Sequence, residues 1–269
     1  MKLYKRLLTG AALIAVSAYV IFWGDEFWFS LEVIVFTALA LYEFFGLMRK
    51  ARVPVYRFFG VSMGVIIPLI VYMELGHTQS GEILFLVLGC LFLFVLQFFH
   101  KNNSEALVGI ALTLFGILYV SWFLSFLIKI RFMHGGVMWA AYLLAVTKGS
   151  DIGAYAVGSL IGRHPLILHI SPKKTIEGTA AGIFSSCAVS WAMGPYLPMA
   201  IAPGHLLVMG FVIGIVGEIG DLSESLMKRF CNAKDSGALL PGMGGFLDIV
   251  DSVLFTAPLF YFHLKVITQ

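Results

Sequence analysis

Long apolar runs recur from one end of this 269-residue chain to the other, and they leave few ways for it to fold. They cover residues 7–23, 27–48, 58–73, 83–99 and 106–128, then 179–193, 206–219 and 253–266. A further run starts near Gly135 and is interrupted by Lys148, Gly149 and Asp151. Crossing a hydrocarbon core about 30 Å thick takes about 20 apolar residues. Backbone groups in lipid must be satisfied internally, which leaves helices or a closed barrel. Barrel strands alternate polar and apolar residues, and these runs do not. The expectation is an all-α integral membrane protein of about nine transmembrane helices, eight to ten in range. Composition agrees: 59% of residues are hydrophobic and 12% charged, against about 25% charged in soluble domains.

The basic residues Lys2, Lys5 and Arg6 ahead of the first run resemble the start of a signal peptide. The run continues through Tyr19, Val20, Ile21 and Phe22 without a clear cleavage site, so a retained first span is expected. Cys90, Cys187 and Cys231 are far apart and form no CxxC pair, which indicates neither a disulfide framework nor a zinc site.

Loop charge sets orientation in a membrane. With nine spans, Lys2, Lys5 and Arg6 fall on one side together with Arg49, Lys50, Arg52, Arg57, His100 and Lys101. Lys148, Arg163, Lys173, Lys174, Lys228, Arg229 and Lys234 fall there too. That side is expected to be cytoplasmic, in a cell inner (plasma) membrane. Lys129 and Arg131 depart from the pattern. Eight of the fifteen acidic residues lie between Asp151 and Asp251. The expected organisation is therefore an apolar helical region, 1–140, and a membrane-embedded region, 141–269, that carries a polar site, the two forming one bundle.

Three segments could carry chemistry. The first runs from Lys148 through Asp151 and Tyr155 to Gly158 and Arg163. Charges inside an apolar stretch cost roughly 2.5–3.5 kcal/mol each on insertion scales, so they face a cavity or a partner. A helix end with Lys148 snorkelling is the plainer alternative. The second reads Ser171-Pro172-Lys173-Lys174-Thr175-Ile176-Glu177-Gly178. Ser-Pro opens a turn and can start a helix, whose amino end together with two lysines suits a phosphate. A positive-inside anchor explains the same lysines.

The third segment says most. Asp221, Glu224, Ser225 and Lys228 are spaced to share a helix face. Asp248 and Asp251 are three apart on a second helix, which opens just after Gly244-Gly245. Four carboxylates thus sit at the ends of two apolar helices and would repel one another. A bound Mg²⁺ resolves the repulsion, since it takes oxygen ligands and leaves room for substrate phosphates. Lys228, Arg229 and Lys234 would hold phosphate oxygens. A solvated loop between spans is the alternative.

These segments resemble the phosphatidate cytidylyltransferase (CDP-diacylglycerol synthase) family. The likeness rests on Ser225-x-Met-Lys228-Arg229, Lys234-Asp235-x-Gly237, Leu240-Pro241, Gly244-Gly245-Phe-x-Asp248 and Asp251. It extends to Asp151-x-x-Ala-Tyr155 and Ser171-Pro-Lys-Lys-Thr-x-Glu-Gly178, in the family's order. Met243 stands where the family usually has His, and Ile249 where it usually has Arg.

The resemblance implies the reaction of CTP with phosphatidate to give CDP-diacylglycerol and diphosphate. It implies catalytic roles for Asp221, Lys228, Asp248 and Asp251. Mg²⁺ would be held by Asp221, Asp248, Asp251 and Glu224, with a second cation as an option. Substrate contacts fall to Ser171, Lys173, Lys174, Thr175, Glu177, Ser225, Arg229, Lys234, Asp235, Asp151 and Tyr155. The expected partners are CTP, phosphatidate and the bilayer, with a homodimer as an option and no nucleic acid. A CTP-dependent lipid-alcohol kinase uses similar groups and is the alternative. A transporter fits less well, because its charges would sit near the midplane.

Overall fold

The computed structural model describes residues 2–74, 81–99, 104–240 and 244–268. The described residues are helical apart from one short hairpin. In chain order the elements are α1 (Lys2–Trp23), α2 (Glu26–Lys50), α3 (Arg57–Glu74), α4 (Gly81–Phe98), α5 (Ala106–Gly116) and α6 (Phe123–Arg131). Then come α7 (Gly136–Ile161), β1 (Pro165–Ile167), β2 (Ser171–Thr175), α8 (Ile176–Met193), α9 (Pro203–Phe230) and α10 (Leu247–Thr268). A π-helical turn, Ile117–Trp122, joins α5 to α6 without a break in the helix.

Among the described residues, five helices are long and apolar enough to cross a membrane. They are α2, α4, the continuous Ala106–Arg131 helix, α9 and α10. The chain is an integral membrane protein, but the expected nine spans are corrected to five. The shortfall is one of length and polarity. The helices at Thr9–Trp23 and Arg57–Met73 are shorter than a full span needs. α7 and α8 carry the polar groups described below.

The chain divides into two compact units. The first contains residues 1–132 and 230–249, the second 133–229 and 250–269. Phe44, Phe45, Leu41, Ile67, Ile117 and Phe126 are fully buried in the first. There α3 carries Pro68, whose missing N–H leaves the Gly64 carbonyl without its helical donor. Ser121, from the π-helical turn, donates its hydroxyl to that carbonyl. In lipid such a repair is required. Lys129 and Arg131, the two charges out of pattern, are also held: Lys129 pairs with Glu82, and Arg131 donates to the Gly24 carbonyl at 3.1 Å.

In the second unit Trp139 and Tyr142 pack on Phe260, with the Tyr142 and Phe260 rings stacked at 5.4 Å. α7 runs unbroken through Lys148 and Asp151, so the expected interruption does not occur. The reason is local pairing: the Lys148 ammonium lies 2.8 Å from Asp151 Oδ2 and 2.9 Å from Ser252 Oγ. The Ser171–Thr175 segment is a strand, antiparallel to β1 with Ile167 opposite Ser171. The helix expected to begin at Ser-Pro begins at Ile176 instead. Thr175 is its N-cap, accepting from Gly178 N at 3.2 Å.

Candidate active site

α9 does not end at Asp221 as expected; it continues to Phe230 and carries Asp221, Glu224, Ser225 and Lys228 along one stripe. Asp251 comes from α10. Carboxylate oxygens of Asp221, Glu224 and Asp251 lie within 4.8 Å of one another. Glu224 is fully buried and Asp251 nearly so, while Asp221 is partly exposed.

α9 reaches α10 closely at Gly220. A Cβ there would meet the Asp251 carbonyl oxygen at 2.5 Å, so only glycine permits the approach. That approach brings residues on different helices into one cluster.

Cations flank the acids. Lys174 Nζ, from β2, sits 2.8 Å from Glu218 Oε1 and 2.9 Å from Asp221 Oδ2. Lys228 pairs with Glu224 one turn along α9. Ser225 Oγ donates to Asp221 Oδ1 at 3.4 Å. Ser252 Oγ donates to Asp151 Oδ2 at 3.0 Å, so Lys148, Asp151 and Ser252 form a triangle whose third member adjoins Asp251 in sequence. Burial disfavours the Lys174 ammonium, but Asp221 and Glu218 outweigh it and raise its pKa above the ordinary lysine value.

A test of fit for a divalent cation follows from these groups. The donors are hard carboxylate oxygens, the type Mg²⁺ takes. Asp151, Glu218, Asp221, Glu224 and Asp251 face Lys148, Lys174 and Lys228. Ionised, this set keeps a surplus of two negative charges, which a divalent cation would neutralise. The residues therefore fit.

Other expected site residues have different surroundings. Glu177 binds the start of the hairpin: it accepts from Arg163 N and His164 N, each at 3.2 Å, and meets His164 Nδ1 at 2.6 Å. These bonds, the His164 one foremost, pull its carboxyl down to about 2. Arg229 Nε donates to the Ile170 carbonyl at 3.0 Å, tying α9 to the same hairpin. Lys173 and Tyr155 are exposed, and Ser171 is half-buried.

In the first unit, Lys234 and Asp235 are exposed, and Asp248 Oδ2 accepts from Ser236 N at 3.0 Å, Ser236 Oγ at 2.7 Å and Gly245 N at 2.8 Å. Ile249 is half-buried in the first turn of α10, and Met243 lies outside the described residues.

Three groups escaped the sequence reading of the site. Glu43, on α2, is buried and accepts from Ser236 Oγ at 3.2 Å and Leu247 N at 3.0 Å. It anchors the loop that Asp248 also anchors. Glu218 shares Lys174 with Asp221. Lys148 bridges Asp151 and Ser252. All three are ionisable residues in apolar helices, which is a signal that a partner exists.

The profile of the cytidylyltransferase family matches residues 4–267. The chain belongs to that family. Its likeness to the family's phosphatidate cytidylyltransferases extends over nearly its whole length. The Synechocystis protein of that name is 32% identical over 291 aligned positions, 97% of this chain and 96% of the relative. The chloroplastic phosphatidate cytidylyltransferase 4 of Arabidopsis thaliana is 30% identical over 294 positions, 98% of this chain and 74% of the relative. An uncharacterized Escherichia coli protein, YnbB, is 36% identical over 167 positions, 62% of this chain. That match spans about half the relative's length, 55%.

Proposed function

We propose that this family member is a Mg²⁺-dependent phosphatidate cytidylyltransferase, joining CTP and phosphatidate to give CDP-diacylglycerol and diphosphate. The observation that carries the reading is the cluster of Asp221, Glu224 and Asp251 with Lys174 and Lys228 paired to its members. The lipid phosphate is ionised at neutral pH and attacks the α-phosphorus of CTP without needing a strong base. The P–O bond to the β-phosphate breaks, and diphosphate leaves with the electron pair. What impedes the reaction is the approach of two anions, so positioning and charge are the levers.

Asp221, Glu224 and Asp251 would hold Mg²⁺, which supplies charge stabilisation at the phosphoryl oxygens when bound. Lys174 and Lys228, each within reach of a cluster carboxylate, turn their remaining N–H donors to phosphate oxygens. Lys148 keeps Asp151 and Ser252 fixed beside Asp251. Arg229 and Glu177 hold the hairpin that carries Lys173 and Lys174 against α9. Asp248, with Glu43, shapes the 236–247 loop. The site faces the cytoplasm, where CTP is found, and the acyl chains remain in the bilayer.

The test is an assay of purified protein with phosphatidate, Mg²⁺ and CTP labelled at either the α- or the γ-phosphorus. Label from the α position should enter the lipid product. Lipid labelled from the γ position, with an alcohol acceptor, would instead assign a CTP-dependent lipid kinase.

A further inference from the structure

The first unit carries a second charged feature, at the end of α2. Arg49 and Lys50 occupy the last turn of that helix. Arg52 follows in a left-handed conformation, φ 59°. Its N–H bonds to the Arg49 carbonyl at 3.0 Å, and Val53 N bonds to the Met48 carbonyl at 3.0 Å. This paired pattern closes a helix firmly, so the turn holding Arg49 and Lys50 is fixed. Arg57, at the start of α3, places its guanidinium 4.1 Å from the centre of the Tyr42 ring, where the ring face attracts it.

These groups line a cavity of about 560 Å³ together with Glu43, Gly46 and residues 236–239 of the loop. Glu43 turns Oε2 to Ser236 Oγ and Leu247 N. Three cations against one carboxylate leave the lining with a surplus of two positive charges. Nothing lies within 4 Å of where a Gly46 Cβ would stand, so the cavity is open there.

We propose that this cavity binds the phosphate headgroup of an anionic phospholipid, using residues other than those of the carboxylate cluster. Arginine and lysine suit phosphate oxygens. The cavity lies at the end of a helix long enough to cross a membrane, the depth at which headgroups are found. Its surroundings are partly apolar: Tyr42 is 53% exposed, Leu239 46% and Phe58 88%. Exposed aromatic side chains beside basic ones are the pattern of a membrane interface. A free phosphate would use the cations and leave that apolar rim in water, whereas a lipid uses both.

The test measures binding of phosphatidylglycerol, with phosphatidylcholine as the neutral comparison, by native mass spectrometry of the purified full chain without CTP. Phosphatidylglycerol should bind in preference, and the triple variant Arg49→Gln, Lys50→Gln, Arg57→Gln should weaken it about tenfold or more. Arg52→Gln removes a neighbouring charge that does not line the cavity and should weaken it by less than about threefold. Gly46→Leu fills the cavity without changing charge; it should also weaken binding, and it serves if the triple variant folds poorly. Equal loss in Arg52→Gln and in Arg49→Gln overturns the proposal in favour of general surface attraction. Full binding in Gly46→Leu, no preference over phosphatidylcholine, or displacement by millimolar inorganic phosphate also overturns it.

Discussion

Replacing Gly220 with alanine adds one methyl group where α9 meets the 250–252 stretch of α10. The new Cβ would stand 2.5 Å from the Asp251 carbonyl oxygen and 3.1 Å from Ser252 Cα. Ordinary contact begins at 3.4 Å, so the first distance falls short by 0.9 Å. Both obstructing atoms are backbone, and no side chain can turn aside to relieve them. The helices must separate by roughly that amount, carrying Asp221 and Asp251 apart within a cluster only 4.8 Å across. A misplacement of about 1 Å costs on the order of 10²-fold in rate when positioning is the main lever. Overpacking costs about 1–3 kcal/mol in stability. The assay is incorporation of α-labelled CTP into lipid across a Mg²⁺ titration, paired with thermal unfolding in the same detergent. Gly204→Ala, on the same helix with nothing within 4 Å of its Cβ, is the control and should leave turnover unchanged. A folded Gly220→Ala protein with normal turnover and a normal Mg²⁺ requirement would refute the argument that this approach sets the cluster.

Other outcomes separate the roles of individual groups. Asp251→Asn should lower turnover roughly 10²-fold and raise the Mg²⁺ needed for half-maximal rate, since a metal ligand's charge is lost; an unchanged Mg²⁺ titration would remove Asp251 from the cation site. Asp248→Ala should act first on stability, by about 1–3 kcal/mol in denaturant unfolding, because Ser236 and Gly245 lose their acceptor. Lys174→Ala should cut turnover far more than Lys173→Ala, because Lys174 pairs with Glu218 and Asp221 while Lys173 is exposed; equal effects in the lipid-product assay would contradict this. Glu177 has its carboxyl pulled down to about 2 in the folded chain, so its contribution is present above the ordinary glutamate value and fades as pH falls toward 2. Acid unfolding of Glu177→Gln should accordingly differ from the parent near pH 5 and converge with it by about pH 2.

The apolar runs made the helical character legible, because lipid demands continuous hydrophobic stretches. Helix ends were less legible, and the errors share a cause. Asp221 read as the end of a helix and Lys148 as an interruption because a lone charge in an apolar run is costly. In the structure neither is a lone charge: Asp221 meets Lys174, and Lys148 meets Asp151 and Ser252. Both helices continue through. Lys174 lies on a strand whose pairing depends on β1, so its reach to α9 has no local signature. The count of spans failed for a different reason. Runs of 15 to 17 residues were counted with those of full length, and hydrophobicity does not distinguish a short buried helix from a spanning one. In the site, Asp221, Glu224 and Asp251 were legible from spacing and from the family resemblance. Glu43 was not: it stands far from the loop it holds, and the only hint was an acid in an otherwise apolar helix.

The paired charges also explain how so polar a site persists among helices of this hydrophobicity. Breaking a buried ion pair by removing one partner is costly, whereas a fully matched set is tolerated. Each of the three lysines in the second unit contacts at least one carboxylate, and Lys148 and Lys174 each come from an element other than α9. The α7 helix, the hairpin and α9 are therefore linked by charge as well as by packing, and a change at any one lysine should be felt at the others. Matching is incomplete by two charges, and the surplus lies on the acidic side. A site built only for stability would gain by losing an acid. One that must attract a divalent cation and two anionic substrates needs both the uncompensated carboxylates and the lysines around them.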